Sequence, residues 1–567
     1  MEETGSQILF RALREENVDT LFGYPGGSVM DIYDEMFRQE IRHILVRHEQ
    51  AAIHAADGYA RASGRVGVCL VTSGPGATNT VTGIANAYMD SIPVVVLTGQ
   101  VPTAMIGNDG FQEVDITGIT RTCTKHNFLV RNIGELHDTV REAFRIARSG
   151  RPGPVLVDLP KDVIQAVAEP DTRFAAPVFS GEEDSADLEG PCREAMKLLS
   201  AAKRPLIIIG GGVILGKATG LLRDFAKKLQ IPVVSTLMGL GAFPGTDPLW
   251  AGMPGMHGSY GANMAISRCD LLIAIGVRFD DRVTSKIEAF APHAKLVHID
   301  IDPVSIDKVL QASVSMVSDC GPALRTLLCL ADEQGPTQPE SPIRDWHEQL
   351  RRWKEERPLS YCRSQKIKPQ YVIEELYRLT GGRAIVATEV GQNQMWAAQF
   401  YRFDEPNTFL TSGGLGAMGF GFPAAIGAQV ACPDRTVVDV AGDGSIQMNI
   451  QELATVVHYG LPVKVVILNN LYLGMVRQWQ ELYYGRRYSQ SDIAQAPDFV
   501  KLAEAYGAKG LRAVKPEEVR SVLSEALETP GPVVMDFQVE PEENVYPIVK
   551  PGAPLTEMVF GPAGKTA

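Results

Sequence analysis

The sequence predicts an α/β protein built from three doubly wound parallel-sheet domains, the first and third related by duplication. Three observations carry this. Short β-rich runs, among them VGVCLVTSG, PVVVLTG, RPLIIIGGG, DLLIAIGV and KVVILNN, alternate with helical patterns along the chain, which is the pattern of βαβ units. Two aperiodic stretches rich in Pro, Glu, Asp and Ser, residues 166–190 and 331–342, divide the 567 residues into blocks of domain size. Finally, residues 68–99 (VCLVTSGPGATNTVTGIANAYMDSIPVVVLTG) and 437–470 (VVDVAGDGSIQMNIQELATVVHYGLPVKVVILNN) share one order of strand, glycine corner, helix, proline and strand. The offsets from Gly74 to Gly442 and from Pro93 to Pro462 differ by a single residue, and the two blocks close on RPGPVLVDLP and TPGPVVMDFQ. Two matches in register argue for duplication where one could be chance.

In chain order, residues 1–165 form the first domain, opening on the amphipathic helical pattern of MEETGSQILFRALREENV. Residues 166–190 read as a linker and 191–330 as the middle domain. Residues 331–367 read as a second linker carrying an exposed charged helix, RDWHEQLRRWKEERP; residues 368–545 form the third domain and 546–567 a tail. With 54 Lys+Arg against 67 Asp+Glu and a net charge of -13, no basic surface for nucleic acid is expected. Small phosphate-bearing ligands stay open, because backbone amides or a metal can hold them. The eight cysteines are scattered without a C-x-x-C pair, as reduced thiols are. The N-terminus has neither signal- nor transit-peptide character, and no apolar run is long enough to cross a bilayer. A cytoplasmic location is expected.

The chemistry concentrates in VVDVAGDGSIQMN. A buried strand here ends on Asp443 between Gly442 and Gly444, and a buried carboxylate needs a partner. In a βαβ unit the two strands share one carboxyl edge, so Asn469 and Asn470, at the end of the next strand, converge with Asp443. Carboxylate and amide oxygens with little protein charge suit Mg²⁺. The glycines permit close approach, and a helix beginning near Ser445 points amides at an anion. In the first copy Pro75 stands where Asp443 stands in the second. Alone, such an aspartate reads as a helix cap; with the Asn pair behind a second strand, a metal–diphosphate site is the better reading.

GDGS followed at this distance by NN resembles the thiamine diphosphate signature, whose enzymes pair a pyrimidine-binding first domain with a diphosphate-binding third one. Longer phrases, among them FGYPGGSVMDIYD, RHEQAA, GQVPTAMIGNDGFQE, GVRFDDRVTS, GLGAMGFGFPAAIGA and LNNLYLGMVRQWQELYY, cover almost the whole chain and resemble the acetohydroxyacid synthase (acetolactate synthase) catalytic subunits. The resemblance implies decarboxylation of pyruvate and ligation of the two-carbon unit to pyruvate or 2-oxobutyrate, in branched-chain amino acid biosynthesis. It implies Mg²⁺ on Asp443, Asn470 and the Tyr472 carbonyl. Glu49 would share a proton with the aminopyrimidine ring; by itself it would read as a first-turn acid. Gly26, Gly27 and Ser28 would line the reaction pocket, with Phe111 and Gln112 beside the thiazolium and Lys161 near the substrate channel. Gln392 and Asn393 would touch the diphosphate, Gly391, Ser445, Gly474 and Met475 would also bind the cofactor, Gly416 would accept the pyrimidine amine, and Met418 would wedge the cofactor. Many relatives read GQHQMW, so Asn393 in GQNQMW is a departure. Arg282 would grip the second oxoacid's carboxylate, a task suited to a guanidinium fork, and Trp479 would favour the larger acceptor.

For the middle domain the resemblance implies a Rossmann-like FAD site, the flavin structural and not redox-active. Its contacts would be Arg151, Gly211, Gly212, Thr236, Leu237, Met256, His257, Gly276, Arg278, Asp280, Asp300, Ile301 and Asp319. IIIGGGV lacks the G-x-G-x-x-G spacing and is weak alone; GVRFDDRVTS and HIDID carry more. Pyrimidine and diphosphate sites on different domains imply a homodimer or dimer of dimers with active sites between chains. A separate small regulatory subunit also belongs to this family. The rivals are other FAD-containing thiamine enzymes, pyruvate oxidase or glyoxylate carboligase; the latter has valine where this chain has Glu49.

Overall fold

The computed structural model describes residues 2–169, 187–333, 341–495 and 497–561. Most of the expected 166–190 linker lies outside them. Among the described residues, three six-stranded sheets, each parallel throughout, form the frame. Their strands are near-continuous apolar runs because helices cover both faces; Val94–Gln100, Leu271–Ile275 and Lys464–Asn469 are buried along their whole length.

The first sheet runs Arg42–Leu45, Thr20–Tyr24, Gly67–Val71, Val94–Gln100, Val155–Pro160, His126–Leu129. The third runs Phe409–Leu410, Ile385–Thr388, Val437–Gly442, Lys464–Asn469, Val533–Gln538, Lys509–Ala513, the same permutation of chain order. The duplication reaches individual hydrogen bonds. Gln100 Nε2 donates to Asp158 at 2.9 Å, and Asn469 Nδ2 donates to Asp536 at 2.9 Å from the equivalent register position. Anchored on that aspartate pair, Val71 aligns with Ala441 through Thr98 and Ile467. Ser73, not Pro75, is therefore the first-domain counterpart of Asp443; the glycine corners align two residues away from where the sequence phrases do.

The middle sheet runs Trp250–Gly252, Val233–Ser235, Pro205–Ile209, Leu271–Ile275, Lys295–Asp300, Val314–Val317, the dinucleotide-fold order. Its switch point lies between Pro205–Ile209 and Leu271–Ile275, where the chain leaves in opposite directions and opens a crevice.

First and third domains meet through helices Glu49–Ser63 and Gly421–Ala431. A Cβ on Gly58 would stand 2.2 Å from the Ala424 carbonyl oxygen, and one on Gly427 1.9 Å from that of Ala55. Only glycine admits this approach. Beside the crossing, buried Arg61 donates to Asp57 at 2.5 Å, Asp90 at 2.9 Å and the Thr411 carbonyl at 3.0 Å. Asp90 also accepts from the amides of Gly413 and Gly414 at 3.1 and 2.7 Å. A buried ionic cluster thus fixes the loop that leads to Gly416.

Two expectations need correction. The segment after Ser445 is not an α-helix but two 3₁₀ turns, Ile446–Met448 and Ile450–Glu452, with the α-helix starting only at Leu453. Asn449 leaves helical geometry to donate its amide to the Gly419 carbonyl at 2.7 Å. The charged helix, Ser341–Glu356, is not free-standing: Trp346 is 2% exposed, donates Nε1–H to the Pro205 carbonyl at 3.0 Å and meets Trp353 edge-on. Tryptophan at helical spacing gives that helix a docking face.

Candidate active site

A cavity of about 1540 Å³ opens between the carboxyl edge of the third sheet and the middle domain, and a second of about 160 Å³ continues into the middle-sheet crevice. Asp443 closes strand Val437–Gly442, is 1% exposed and lines the larger cavity. Its Oδ2 accepts from the Leu471 amide at 2.9 Å. Burial, opposed by backbone N–H groups and reinforced by nearby Asp536, pushes its carboxyl from 3.8 to about 7. A carboxylate held this far up, facing a cavity, is suited to a cation.

The two asparagines at the end of strand Lys464–Asn469 part company. Asn469 turns to Asp536, which Arg512 also holds at 2.9 Å. Asn470 faces the cavity and donates to Gln392 Oε1 at 3.1 Å, while its Oδ1 accepts from the Tyr472 amide at 3.1 Å. Leu471 takes φ 61 between them, turning the chain so that Asp443, Asn470 and Tyr472 line one corner. Among the described residues no cluster of three His, Cys, Asp or Glu side chains is placed to hold a metal. A cation at Asp443 would draw its other oxygens from amides, carbonyls, water or a bound anion. One carboxylate, one amide oxygen and one carbonyl fit Mg²⁺ bound with a diphosphate.

The wall around this corner is braced. Gln392 Nε2 donates to Gln478 at 2.9 Å and to the Glu543 carbonyl at 3.2 Å. A Cβ on Gly474 would stand 2.1 Å from Gln392 Oε1, so any larger residue there would displace that amide from the start of helix Gly474–Tyr483. Asn393, the departure from GQHQMW, donates to the carbonyls of Glu389 and Val440 at 2.9 and 2.8 Å. It ties the Gly391 turn to the strand that carries Asp443. Gly442, Gly444, Ser445, Gly416, Met418, Met475 and Trp479 line the same cavity.

Across it stand Met256, His257, Leu237 and Arg282 of the middle domain. Arg282 sits in the short helix Asp281–Thr284, capped by Asp280, whose Oδ1 accepts from the amides of Arg282 and Val283 at 3.1 Å. The Met256 amide donates to the Arg282 carbonyl at 2.8 Å, and the guanidinium lies 3.8 Å from Met256 Sδ. Arg282 is more than half exposed and pairs loosely with Asp281 at 3.7 Å, so an incoming anion can reach its guanidinium. His257 is half-buried, and desolvation lowers it to about 4, so it is neutral at physiological pH.

The smaller cavity gathers Gly211, Gly212, Gly276, Asp300, Ile301 and Asp319, and shares Arg151, Thr236, Arg278 and Asp280 with the larger one. A Cβ on Gly212 would stand 2.7 Å from Gly276 Cα, so the two strand-end turns touch backbone to backbone. Arg151 reaches from the first domain, donating to Ser91 at 2.8 Å and Asp302 at 3.2 Å. The crevice, its glycine turns and the arginine at its mouth fit a dinucleotide.

The remaining first-domain residues line neither cavity. Glu49 starts helix Glu49–Ser63 and accepts from Asn79 Nδ2 at 2.9 Å. Near the same sheet edge, Ser28 pairs with Thr72 at 2.9 Å, and Lys161 donates to the Gly27 carbonyl at 3.2 Å. Gln112 takes φ 59 with its carbonyl packed on Gly74, and Phe111 is 86% exposed. Thus one chain joins the Asp443 corner to the middle-sheet crevice, while the Glu49 cluster lines neither cavity.

Sequence reasoning missed Asn79, Gln478 and the Glu543 carbonyl. Asn79 lay in plain view in SGPGATN, in the first-domain copy of the glycine corner. Gln478 lies four residues after Gly474 on one helix face, a spacing that could have flagged it.

Comparisons with known proteins agree with this geometry. The models of the thiamine pyrophosphate enzymes match in order: the N-terminal TPP binding domain over residues 3–119, the central domain over 192–327 and the C-terminal TPP binding domain over 389–537. The chain is 49% identical to the acetolactate synthase isozyme 3 large subunit of Escherichia coli over 99% of both chains. It is 47% identical to the acetolactate synthase large subunit of Haemophilus influenzae over 98% of both. Identity to the acetolactate synthase of Mycobacterium bovis is 50%, over 98% of this chain and 91% of that one. The chain belongs to the acetolactate synthase large-subunit family of thiamine pyrophosphate enzymes.

Proposed function

We propose that this protein is an acetolactate synthase that decarboxylates pyruvate and joins the two-carbon unit to a second 2-oxoacid, pyruvate or 2-oxobutyrate. The products are 2-acetolactate and 2-aceto-2-hydroxybutyrate, precursors of branched-chain amino acids. The observation that carries the reading is the buried Asp443 carboxylate beside Asn470 at one sheet edge, inside a cavity large enough for cofactor and substrate. Thiamine diphosphate, when bound, supplies the electron sink for both steps.

The protein's own part is binding, orientation and proton placement. Asp443, Asn470 and the Tyr472 carbonyl would hold Mg²⁺; Gly391, Gln392, Asn393, Ser445, Gly474 and Met475 would surround the diphosphate. The Gly416 carbonyl would accept from the pyrimidine amine, with Met418 below the bend. Glu49, braced by Asn79, would exchange a proton with the pyrimidine ring nitrogen. Arg282 would grip the acceptor's carboxylate, and the apolar face of Trp479 would prefer the extra methylene of 2-oxobutyrate. Gly27, Phe111, Gln112 and Lys161 would close the substrate side.

Because Glu49 stands outside the cavity that Asp443 lines, a second chain would bring its own Glu49 over the first chain's cofactor. The exposed Phe111 beside that cluster suits such an interface. Two such sites per homodimer follow, or four in a dimer of dimers. FAD would occupy the middle-sheet crevice as a structural cofactor, since the reaction is redox-neutral. The designation of the relatives as large subunits supports a separate small regulatory partner.

The test is a product assay with pyruvate and 2-oxobutyrate in competition, with and without FAD. Acetohydroxyacids formed with Mg²⁺ and thiamine diphosphate, and no electron acceptor, are expected. Pyruvate loss coupled to oxygen or dye reduction would overturn the reading.

A further inference from the structure

Glu389 follows strand Ile385–Thr388 and is fully buried, lining neither cavity. Its carboxylate accepts from Ser445 Oγ at 2.5 Å, the Gly419 amide at 2.8 Å and the Phe422 amide at 3.1 Å. These donors come from two segments, residues 416–422 and the GDGS corner, and both segments line the active-site cavity, at Gly416 and Met418 and at Gly444 and Ser445. A third segment, the Gly391 turn, is tied to the same residue through Asn393, which donates to the Glu389 carbonyl at 2.9 Å. Cross-braces complete the junction: the Gly419 amide also reaches Ser445 Oγ at 3.2 Å, and Asn449 holds the Gly419 carbonyl at 2.7 Å.

Asp439, two residues before the last alanine of strand Val437–Gly442, lies against the same spot. A Cβ on Gly421 would stand 2.4 Å from both Asp439 Oδ1 and the Glu389 amide nitrogen. Asp439 is fully buried, and neither of its carboxyl oxygens has a hydrogen-bond partner. Two buried carboxyls side by side cannot both ionise. Burial raises both carboxyls, but Glu389 is opposed by its converging donors, whereas Asp439, with Glu389 beside it, stands well above the usual carboxylate range as a neutral acid; the charge of the pair belongs on Glu389.

We propose that Glu389 is the positioning residue of the diphosphate cradle, its buried carboxylate binding the 416–419 loop and Ser445 together beside the Gly391 turn. Neither motif that flags the cofactor site contains it, and it acts only through the residues it holds. The proposal rests on the thiamine diphosphate reading above.

The experiment titrates thiamine diphosphate, in Mg²⁺, into the full-length wild type and into Glu389→Gln, Glu389→Asp, Asp439→Asn, Ser445→Ala and the Glu389→Gln/Ser445→Ala double variant. Glu389→Gln removes the charge and turns an N–H group toward one of the donors. A Kd raised about tenfold to hundredfold is expected, with the pyruvate KM unchanged at saturating cofactor. Glu389→Asp recovers part of the loss, and Asp439→Asn, isosteric with a neutral acid, stays within about threefold of wild type. The double variant falls short of the product of the singles, because both act on one junction. If Glu389→Gln does not fold, Glu389→Asp carries the test: a Kd raised severalfold supports the proposal and an unchanged one overturns it. Tight wild-type binding with Glu389→Gln unaffected, additive effects in the double variant, or a larger loss from Asp439→Asn than from Glu389→Gln would each overturn the proposal alone. A wild type that binds no thiamine diphosphate would overturn the cofactor reading and the proposal with it.

Discussion

Replacing Asp443 by asparagine removes a charge that the fold tolerates poorly and that the proposed metal site requires. The carboxyl climbs from 3.8 to about 7, chiefly through burial. Between those values the unfolded chain has lost its proton while the folded chain keeps it. Stability therefore falls as pH rises through roughly 4 to 7, and stays low above that window. The complete fall is on the order of 4 kcal/mol, a ceiling that local relaxation reduces. Asparagine escapes it, so cation-free Asp443→Asn should unfold at or above the wild-type temperature at pH 8, the gap shrinking toward pH 5. With Mg²⁺ and thiamine diphosphate the gap should narrow. Ligand at about a hundred times its Kd adds about 2.7 kcal/mol to the wild type and nothing to the variant. Thermal unfolding at both pH values, with and without ligands, reads this directly. A variant that is less stable than wild type when cation-free at pH 8, or that still gains stability from Mg²⁺ and thiamine diphosphate, would refute the reasoning.

Other expectations follow from single contacts. Glu49→Gln should slow proton exchange at the thiazolium carbon by orders of magnitude with the fold intact; wild-type exchange rates by hydrogen–deuterium NMR would assign Glu49 another role. Arg282→Ala should raise the acceptor KM about tenfold or more while leaving thiamine diphosphate affinity alone, and a cofactor-binding defect would contradict its placement across the cavity. Arg61→Ala strands Asp57 and Asp90 in the domain crossing and should cost about 3–5 kcal/mol, measured from the denaturant midpoint; a change below about 1 kcal/mol would mean the cluster contributes little. Gly427→Leu should destabilise at least as much, since a Cβ there already meets the Ala55 carbonyl at 1.9 Å.

Much of this architecture was legible because βαβ units write themselves as alternating apolar strands and helical patterns, and a duplicated unit writes itself twice. The GDG and NN phrases placed Asp443 and Asn470 at one corner for a physical reason: parallel neighbours deliver their carboxyl ends to one edge. What escaped the sequence depended on register and long-range contact. That Asp443 answers to Ser73 and not Pro75 follows only from the Asp158 and Asp536 ladders. Asn449 leaving helical geometry after Ser445 depends on a carbonyl thirty residues upstream in the chain, at Gly419. Trp346 in a charged run announces a docking face, yet its partner, the Pro205 carbonyl, lies 141 residues away. Glu389 was invisible as a hub because no motif encloses it; its donors come from two other segments.

A redox-neutral carboligation in the cavity beneath Asp443 leaves a fixed product balance. The most direct measurement supplies the purified protein with pyruvate, Mg²⁺, thiamine diphosphate and FAD, without an electron acceptor, and follows carbon dioxide, acetohydroxyacid and oxygen together. One 2-acetolactate per carbon dioxide released and no oxygen uptake are expected. Pyruvate consumed in step with oxygen, or carbon dioxide released without acetolactate, would contradict it.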